Sequence, residues 1–490
     1  MPTNPSYFPW DNADRGNAPC IRDDASSYSY AEFAVRVEAC AEQLAAAGIA
    51  PGNVVATFLP NRAELILVMA AAWRLGAIAT PVNPAFTDDE AGYQFADAEA
   101  RVIVADRQLG TDHLPSGHTV IDVSELAAEP SETWAGATGP AGADVALLVY
   151  TSGSTGRPKG VQLTHDDLRF MASSMVEALE LTPDDHALLI LPLFHVNAIC
   201  ISVLAPFIAG GQVSVTGKFS VSRFFDDVAN LHPTYFSGVP TIYALLVSSP
   251  LAEGADLSSL RAAICGAAPI SRELLTLAQQ RFPFPILEGY GLTEGTCASA
   301  CNPLRGERKI GTVGPALPGQ TITIVGADGR ELPPGEPGEV VIGGPTVMLG
   351  YLGRDDETTK TIVDGQLHTG DVGQLDADGY LTLVDRIKDM IIRGGENIYP
   401  KEIESALASH PAVLECAVVG APDELYGEVP VAYVVRHPGA TADETELTEH
   451  LRTRLAKVKL PQAVHILDGL PRNPVGKIDK PALRRGRVTG

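Results

Sequence analysis

Residues 150–160 read Tyr150-Thr151-Ser152-Gly153-Ser154-Thr155-Gly156-Arg157-Pro158-Lys159-Gly160, and an apolar run, Val145 to Val149, leads straight into them. Three glycines and Pro158 keep this segment from being a helix. A strand, a Gly/Ser/Thr loop and then a lysine form chemistry suited to phosphates. The glycines let backbone N–H groups approach closely, the hydroxyls donate, and Lys159 adds positive charge. The spacing is not that of a Walker A loop, because Pro158 stands where the second glycine would have to follow Gly153. Taken alone, the stretch also reads as a flexible surface loop.

On either side of this loop, short β-branched runs alternate with helical patterns. Val54 to Leu59, Arg101 to Ala105, Val145 to Tyr150 and Ala187 to Leu191 read as buried strands, and Glu64 to Leu75 has helical apolar spacing. This alternation predicts an α/β fold with mostly parallel sheets in a large N-terminal domain. From about residue 320 the texture changes. Thr321 to Val325, Gly338 to Ile342 and Tyr380 to Val384 are strands separated by turns such as Asp328-Gly329 and Asp378-Gly379, which predicts a barrel-like antiparallel section. A compact α+β domain follows, with helices at Glu402 to Ala408 and Glu444 to Leu455 and strands at Ala412 to Val419 and Val429 to Val435. The expected boundary separates residues 1–386 from 387–490, near Lys388.

The whole-chain numbers exclude several classes. A chain of 490 residues exceeds one ordinary domain, and 45% apolar with 20% charged residues is a core-forming composition. The net charge of −24 argues against nucleic acid or an anionic membrane as partner. It also means that polyanions must be met by locally basic groups or by Mg²⁺. The seven cysteines are odd in number, form no CxxC pair, and sit partly in apolar runs, which suits reduced thiols in the cytoplasm. No signal peptide is expected, and the longest apolar stretches are too short to span a bilayer.

Further segments repeat the theme of the phosphate loop in a fixed order. They are Leu191-Pro-Leu-Phe-His-Val196, Cys265-Gly-Ala-Ala-Pro269, Glu288-Gly-Tyr-Gly-Leu-Thr-Glu294, His368-Thr-Gly-Asp371, Val384-Asp-Arg-Ile-Lys-Asp389, Arg393-Gly-Gly-Glu-Asn-Ile-Tyr-Pro400 and Leu470-Pro-Arg-Asn-Pro-Val-Gly-Lys-Ile-Asp479. Together with residues 150–160 this series resembles the adenylate-forming superfamily, and most closely its stand-alone acyl-CoA synthetases. Val475 stands where that family usually has a hydroxyl residue, which spares the adjacent Gly-Lys pair.

The resemblance implies ATP-dependent activation of a carboxylic acid to acyl-AMP with release of pyrophosphate, then transfer to CoA. Thr151, Ser152, Gly153, Ser154, Thr155, Gly156 and Lys159 would hold the terminal phosphates. Gly266, Ala267, Ala268 and Pro269 would form a ledge for adenine, and Glu288, Gly289, Tyr290 and Gly291 would carry the stacking aromatic. Thr293 would contact the α-phosphate, and Glu294, with Thr155, would bind Mg²⁺, which prefers hard oxygen ligands. Asp371 suits vicinal ribose hydroxyls because a carboxylate accepts two hydrogen bonds, and Arg386 would be a second ribose or phosphate contact. Lys477 would be the catalytic lysine, Gly394 and Gly395 would approach the thiol of CoA, and the small C-terminal domain would be mobile about a hinge near Lys388. His195 would border the acyl pocket, with Asn197, Phe236, Ser237, Gly238, Gly266, Thr296 and Cys297 as further candidates. A medium-chain or aromatic acid is the expected substrate, and no arginine in these segments suits a second carboxylate. A carrier-protein thiol as acceptor, or an unusual oxyanion such as nitrite in a diazotase-like reaction, are the alternatives. The expected assembly is a monomer or homodimer.

Overall fold

The computed structural model describes residues 6–12, 15–110, 114–152, 157–472 and 478–486, apart from the side chains of Ser152 and Asn397. Gly153, Ser154, Thr155, Gly156 and Lys477 lie outside the described residues. The chain divides into two compact units. One comprises 1–270, 274–322 and 342–368, and the other 271–273, 323–341 and 369–490.

The first unit contains two large sheets. The eight-stranded sheet runs in the order Ala300–Cys301, Ile286–Tyr290, Ala262–Cys265, Tyr235–Gly238, His186–Leu189, Gln212–Val215, Pro19–Arg22 and Ser27–Ser29. From Ile286–Tyr290 to Pro19–Arg22 every pairing is parallel. The seven-stranded sheet runs Gly350–Tyr351, Pro158–Thr164, Val145–Ser152, Ile78–Pro81, Val54–Phe58, Ala100–Ala105 and Thr119–Asp122. Val54–Phe58 is buried at every position, as a strand covered on both faces must be. The helix Ala63–Arg74 is buried around most of its circumference, and its Trp73 indole donates to the Ala146 carbonyl at 2.7 Å. That bond ties a core helix to the strand that leads into the phosphate loop.

In the second unit the chain forms an α+β body. Its sheet runs Glu396–Ile398, Ile391–Arg393, Gly427–Arg436, Val413–Asp423, with Ala463–Leu467 added in parallel to Gly427–Arg436. The helices Pro400–Ala408 and Glu444–Arg452 supply Ile403, Leu407, Leu447 and Leu451 to a core shared with Val418, Ala432 and Val434. A further five-stranded sheet joins Thr321–Val325, Gly338–Gly343, Gln366–Leu375, Ile362–Val363 and Leu381–Arg386. The chain passes from one unit to the other inside three of these strands, so 369–386 falls in the second unit, whereas the boundary expected from sequence lay at 386/387. The physical reason is pairing: Gln366–Leu375 and Leu381–Arg386 form one antiparallel ladder, which holds residues 369–386 together. Among the described residues no helix is long and apolar enough to cross a membrane, and all seven cysteines are free.

Candidate active site

The strands on either side of residues 153–156 form an antiparallel pair. Val145–Ser152 pairs with Pro158–Thr164 in a register that sets Thr151 opposite Lys159 and Tyr150 opposite Gly160. Sequence periodicity placed the first strand but not its return, because Gly, Pro and Lys dilute the β-branched signal of 158–164. Gly160 lies tightly against Tyr150: a Cβ would stand 3.1 Å from its ring. The Tyr150 hydroxyl donates to Asp97 at 2.8 Å, which anchors the strand pair to the helix Asp88–Asp97.

Lys159 projects from the second strand. Its ammonium donates to Glu357 at 2.8 Å and stands 4.0 Å from the centroid of the Tyr351 ring. The Tyr351 hydroxyl in turn donates to Glu294 Oε1 at 2.9 Å. One aromatic side chain thus links the phosphate-loop lysine to the carboxylate expected to bind Mg²⁺. Tyr351 and Glu357 were not legible as site residues in the sequence. No local motif marks them, and they are found only through strand pairing.

The other candidates of this unit gather at the carboxyl ends of adjacent parallel strands, where ligands of open α/β sheets bind. The segment after His186–Leu189 carries His195, half-buried, with its ring 4.5 Å from that of Phe194. Asn61 clamps this turn by donating to Leu191 O and accepting from Leu193 N, both at 2.9 Å. Two residues beyond His195, Asn197 accepts the Ser237 hydroxyl at 2.8 Å. Gly266 lies beside them, and a Cβ there would stand 3.7 Å from both Asn197 Nδ2 and the Gly289 carbonyl. Asn197, Ser237, Gly266 and Gly289 therefore form one cluster. Ala267, Ala268 and Pro269 are exposed, and Ala267 adopts a left-handed φ of 65° that alanine rarely takes.

Four pocket expectations are corrected by packing. Phe236 is fully buried among Phe224, Tyr243 and Phe284, at centroid distances of 4.9, 5.8 and 6.0 Å. Strand alternation gives the reason: its neighbour Ser237 takes the opposite face, so both cannot line one pocket. Gly238 lies against the same core, 3.2 Å from the Tyr243 ring if it carried a Cβ. Thr296 is fully buried and donates to Thr346 O at 2.7 Å, its carbonyl accepts from the buried Cys200 thiol, and Cys297 is itself buried. Those two residues brace the loop from behind, with positive φ values of 56° and 115°.

The loop itself follows Ile286–Tyr290. Glu288 is buried, Tyr290 stands at the strand end, and Thr293 and Glu294 enter a short turn, Thr293–Gly295, half-exposed. Gly291 has no alternative: a Cβ would stand 2.0 Å from the Cys297 carbonyl oxygen.

In the second unit, Asp371 and Arg386 are direct partners across the antiparallel ladder. Arg386 Nε meets Asp371 Oδ1 at 2.9 Å, with Asp371 buried and Arg386 half-exposed. The Asp371 amide donates to the Thr369 hydroxyl at 3.1 Å, and Thr369 donates to Val340 O at 2.7 Å. Burial, and then the Arg386 charge, lower the pKa of the Lys388 ammonium. The following strands turn at Gly394 and Gly395, with φ of 59° and 89°, the pair of positive values a tight hairpin turn needs.

The geometry is matched by comparison with known proteins. A family model described as AMP-binding enzyme matches residues 8–352, and one described as AMP-binding enzyme C-terminal domain matches residues 402–477. The chain belongs to the AMP-binding enzyme family. It is 38% identical over 476 residues to a feruloyl-CoA synthase of Amycolatopsis sp, covering 96% of each chain. It is 35% identical to a sulfoacetate–CoA ligase of Cupriavidus necator, covering 94% of this chain and 92% of that one. The ATP-bound structure of MatB from Rhodopseudomonas palustris matches with a TM-score of 0.93 at 34% identity over 99% of both chains. MenE of Bacillus subtilis, an o-succinylbenzoate CoA synthetase in complex with its acyl-adenylate, matches at 0.90 with 33% identity over 99% and 98%. This AMP-binding enzyme is an AMP-forming acid–thiol ligase of the adenylate-forming superfamily, with ATP, Mg²⁺ and CoA as co-substrates.

The chemistry follows from leaving groups. A carboxylate is a poor acyl donor because it would have to expel oxide. Its oxygen attacks the ATP α-phosphorus, the bond to pyrophosphate breaks, and the acyl-AMP then has AMP as a good leaving group. The CoA thiolate attacks the acyl carbon and AMP departs.

Proposed function

We propose that this AMP-binding enzyme activates an aromatic monocarboxylic acid and divides the work among its residues as follows. Thr151 and Lys159, with the adjoining loop, take the terminal phosphates of MgATP. Glu294 supplies a hard oxygen to the Mg²⁺ that accompanies the nucleotide. Its half-exposed carboxylate, held on one oxygen by Tyr351, suits that task. Tyr290 stacks on adenine above the exposed ledge Ala267–Pro269, and Thr293 donates to the α-phosphate. Asp371 accepts the ribose hydroxyls, with Arg386 beside it. His195 and Asn197 border the acid. Lys477 neutralises the carboxylate and α-phosphate during adenylation, after which the small domain turns about Lys388 and the Gly394-Gly395 turn guides the thiol. The working compartment is the cytoplasm, in keeping with seven unpaired thiols.

The observation that carries the phosphate end is the Lys159–Tyr351–Glu294 chain of contacts. The acid class is supported by the feruloyl-CoA synthase likeness at 38% identity and by the small, polar cluster of Asn197, Ser237 and Gly266. The test is ATP–pyrophosphate exchange over benzoates, phenylacetates, cinnamates, straight-chain acids and dicarboxylates, with and without CoA. Aryl acids are expected to exchange fastest, and acyl-CoA to form only when CoA is present. Faster exchange with straight-chain acids or dicarboxylates than with every aryl acid would refute the assignment.

Replacement of Asp371 by asparagine keeps the volume but removes a charged acceptor. A hydrogen bond to a charged group is worth about 1.5–3 kcal/mol, so the KM for ATP should rise roughly 10-fold or more with the KM for CoA little changed. An unaltered KM for ATP would remove Asp371 from the ribose site.

A further inference from the structure

The strand Gly350–Tyr351 pairs antiparallel with Pro158–Thr164, with Tyr351 opposite Val161. Lys159 is therefore the diagonal neighbour of Tyr351 on one face of the ladder, a separation that an aromatic ring spans. The ring face receives the ammonium at 4.0 Å from its centroid, and the hydroxyl reaches Glu294 at 2.9 Å. The strand cannot shift easily. Gly350 packs so closely on Thr358 that a Cβ would stand 2.8 Å from it, and the Tyr351 amide donates to the Thr358 hydroxyl at 2.9 Å. The helix Asp355–Thr361, which carries Thr358, also carries Glu357, the ion-pair partner of Lys159.

We infer that Tyr351 is a positioning residue for MgATP: its ring sets the Lys159 ammonium and its hydroxyl sets the Glu294 carboxylate, so that cation and anion are aligned before the nucleotide arrives. The inference rests on the assignment of Lys159 to phosphate and Glu294 to the metal. Two properties support it. The Lys159 side chain is only 12% exposed, so its attraction to the ring is little weakened by solvent. Glu357 balances the ammonium, which leaves Lys159 paired when no phosphate is near.

The two edges of Tyr351 can be separated by substitution. Tyr351→Phe keeps the ring and deletes the hydroxyl. Tyr351→Leu deletes both. Binding is read directly, by electron paramagnetic resonance of Mn²⁺ titrated into enzyme with ATP and by calorimetry of ATP itself. Catalysis is read as the two half-reactions, pyrophosphate exchange and thioester formation from supplied acyl-AMP. For Tyr351→Phe we expect Mn²⁺ to bind about 10-fold more weakly in the ternary complex, with ATP affinity in the absence of metal unchanged. Exchange should fall in step and recover at high Mg²⁺. For Tyr351→Leu we expect metal-free ATP binding to weaken as well, by about 3- to 10-fold. Thioester formation should be preserved in both variants. Tyr351 also packs in the core, and a merely structural role would lower both half-reactions together without rescue by Mg²⁺, which would overturn the inference. Glu294→Gln serves as reference. If it weakens Mn²⁺ binding while Tyr351→Phe does not, the site stands and the role of Tyr351 falls; if neither does, the metal assignment itself is wrong.

Discussion

Lys477→Ala is expected to lower the adenylation rate by about 10²–10³-fold, the loss typical of removing one preorganised group from a developing anionic centre. Both reactants of the first half-reaction are anions, and the chain as a whole, at −24, repels them. A cation brought to the carboxylate and α-phosphate offsets that repulsion only while it is in place. The residues that flank 473–477 pair with each other: Arg472 and Ile478 form a bridge, and the Asp479 amide donates to Pro471 O at 2.8 Å. Asp479 also caps the helix Lys480–Arg484. The variant should therefore fold, and thioester formation from supplied acyl-AMP should keep most of its rate, because the lysine is not needed once AMP is the leaving group. Rapid-quench measurement of each half-reaction decides the matter. Equal loss in both, or no loss in the first, would contradict the role.

Gly291→Ala should be the most damaging single-methyl change in the first unit's site. The added Cβ would stand 2.0 Å from Cys297 O and 2.6 Å from the Ala298 Cα. Both are backbone atoms of a segment held by pairing, with Ser299 N donating to Tyr290 O at 2.8 Å and Ala300 opposite Tyr290 in the ladder. No rotamer change relieves such a clash, so backbone must move. A cost of about 3 kcal/mol or more is expected, at the upper end of overpacking penalties. The turn bearing Thr293 and Glu294 would move with it, and adenylation should be lost even in the fraction that folds. Urea unfolding together with pyrophosphate exchange measures both effects. Gly469→Ala, where nothing lies within 4 Å of the added carbon, is the control and should change neither. A Gly291→Ala enzyme with unchanged midpoint and exchange rate would show that the loop tolerates a side chain.

The chemistry of this enzyme was legible in the chain itself. The family resemblance rests on runs of a few consecutive residues, such as 150–160, 288–294 and 368–371, so the family and its AMP-forming ligase activity could be read locally. The alternation of strand and helix was legible for the same reason, since both periodicities are short-range. What the chain alone left open was which side of each strand faces the site. Alternation makes Phe236 and Ser237 opposites but does not say which is inside, and only the aromatic packing of Phe224, Tyr243 and Phe284 decides it. Thr296 and Cys297 were candidates for the same pocket, whereas both are buried, with Thr296 bonded to Thr346 and Cys200, far along the chain. Tyr351 and Glu357 carry no local signature at all. They reach Lys159 because an edge strand near residue 350 pairs with the strand Pro158–Thr164, and a contact between residues about two hundred positions apart is created by strand register, which only the folded chain possesses.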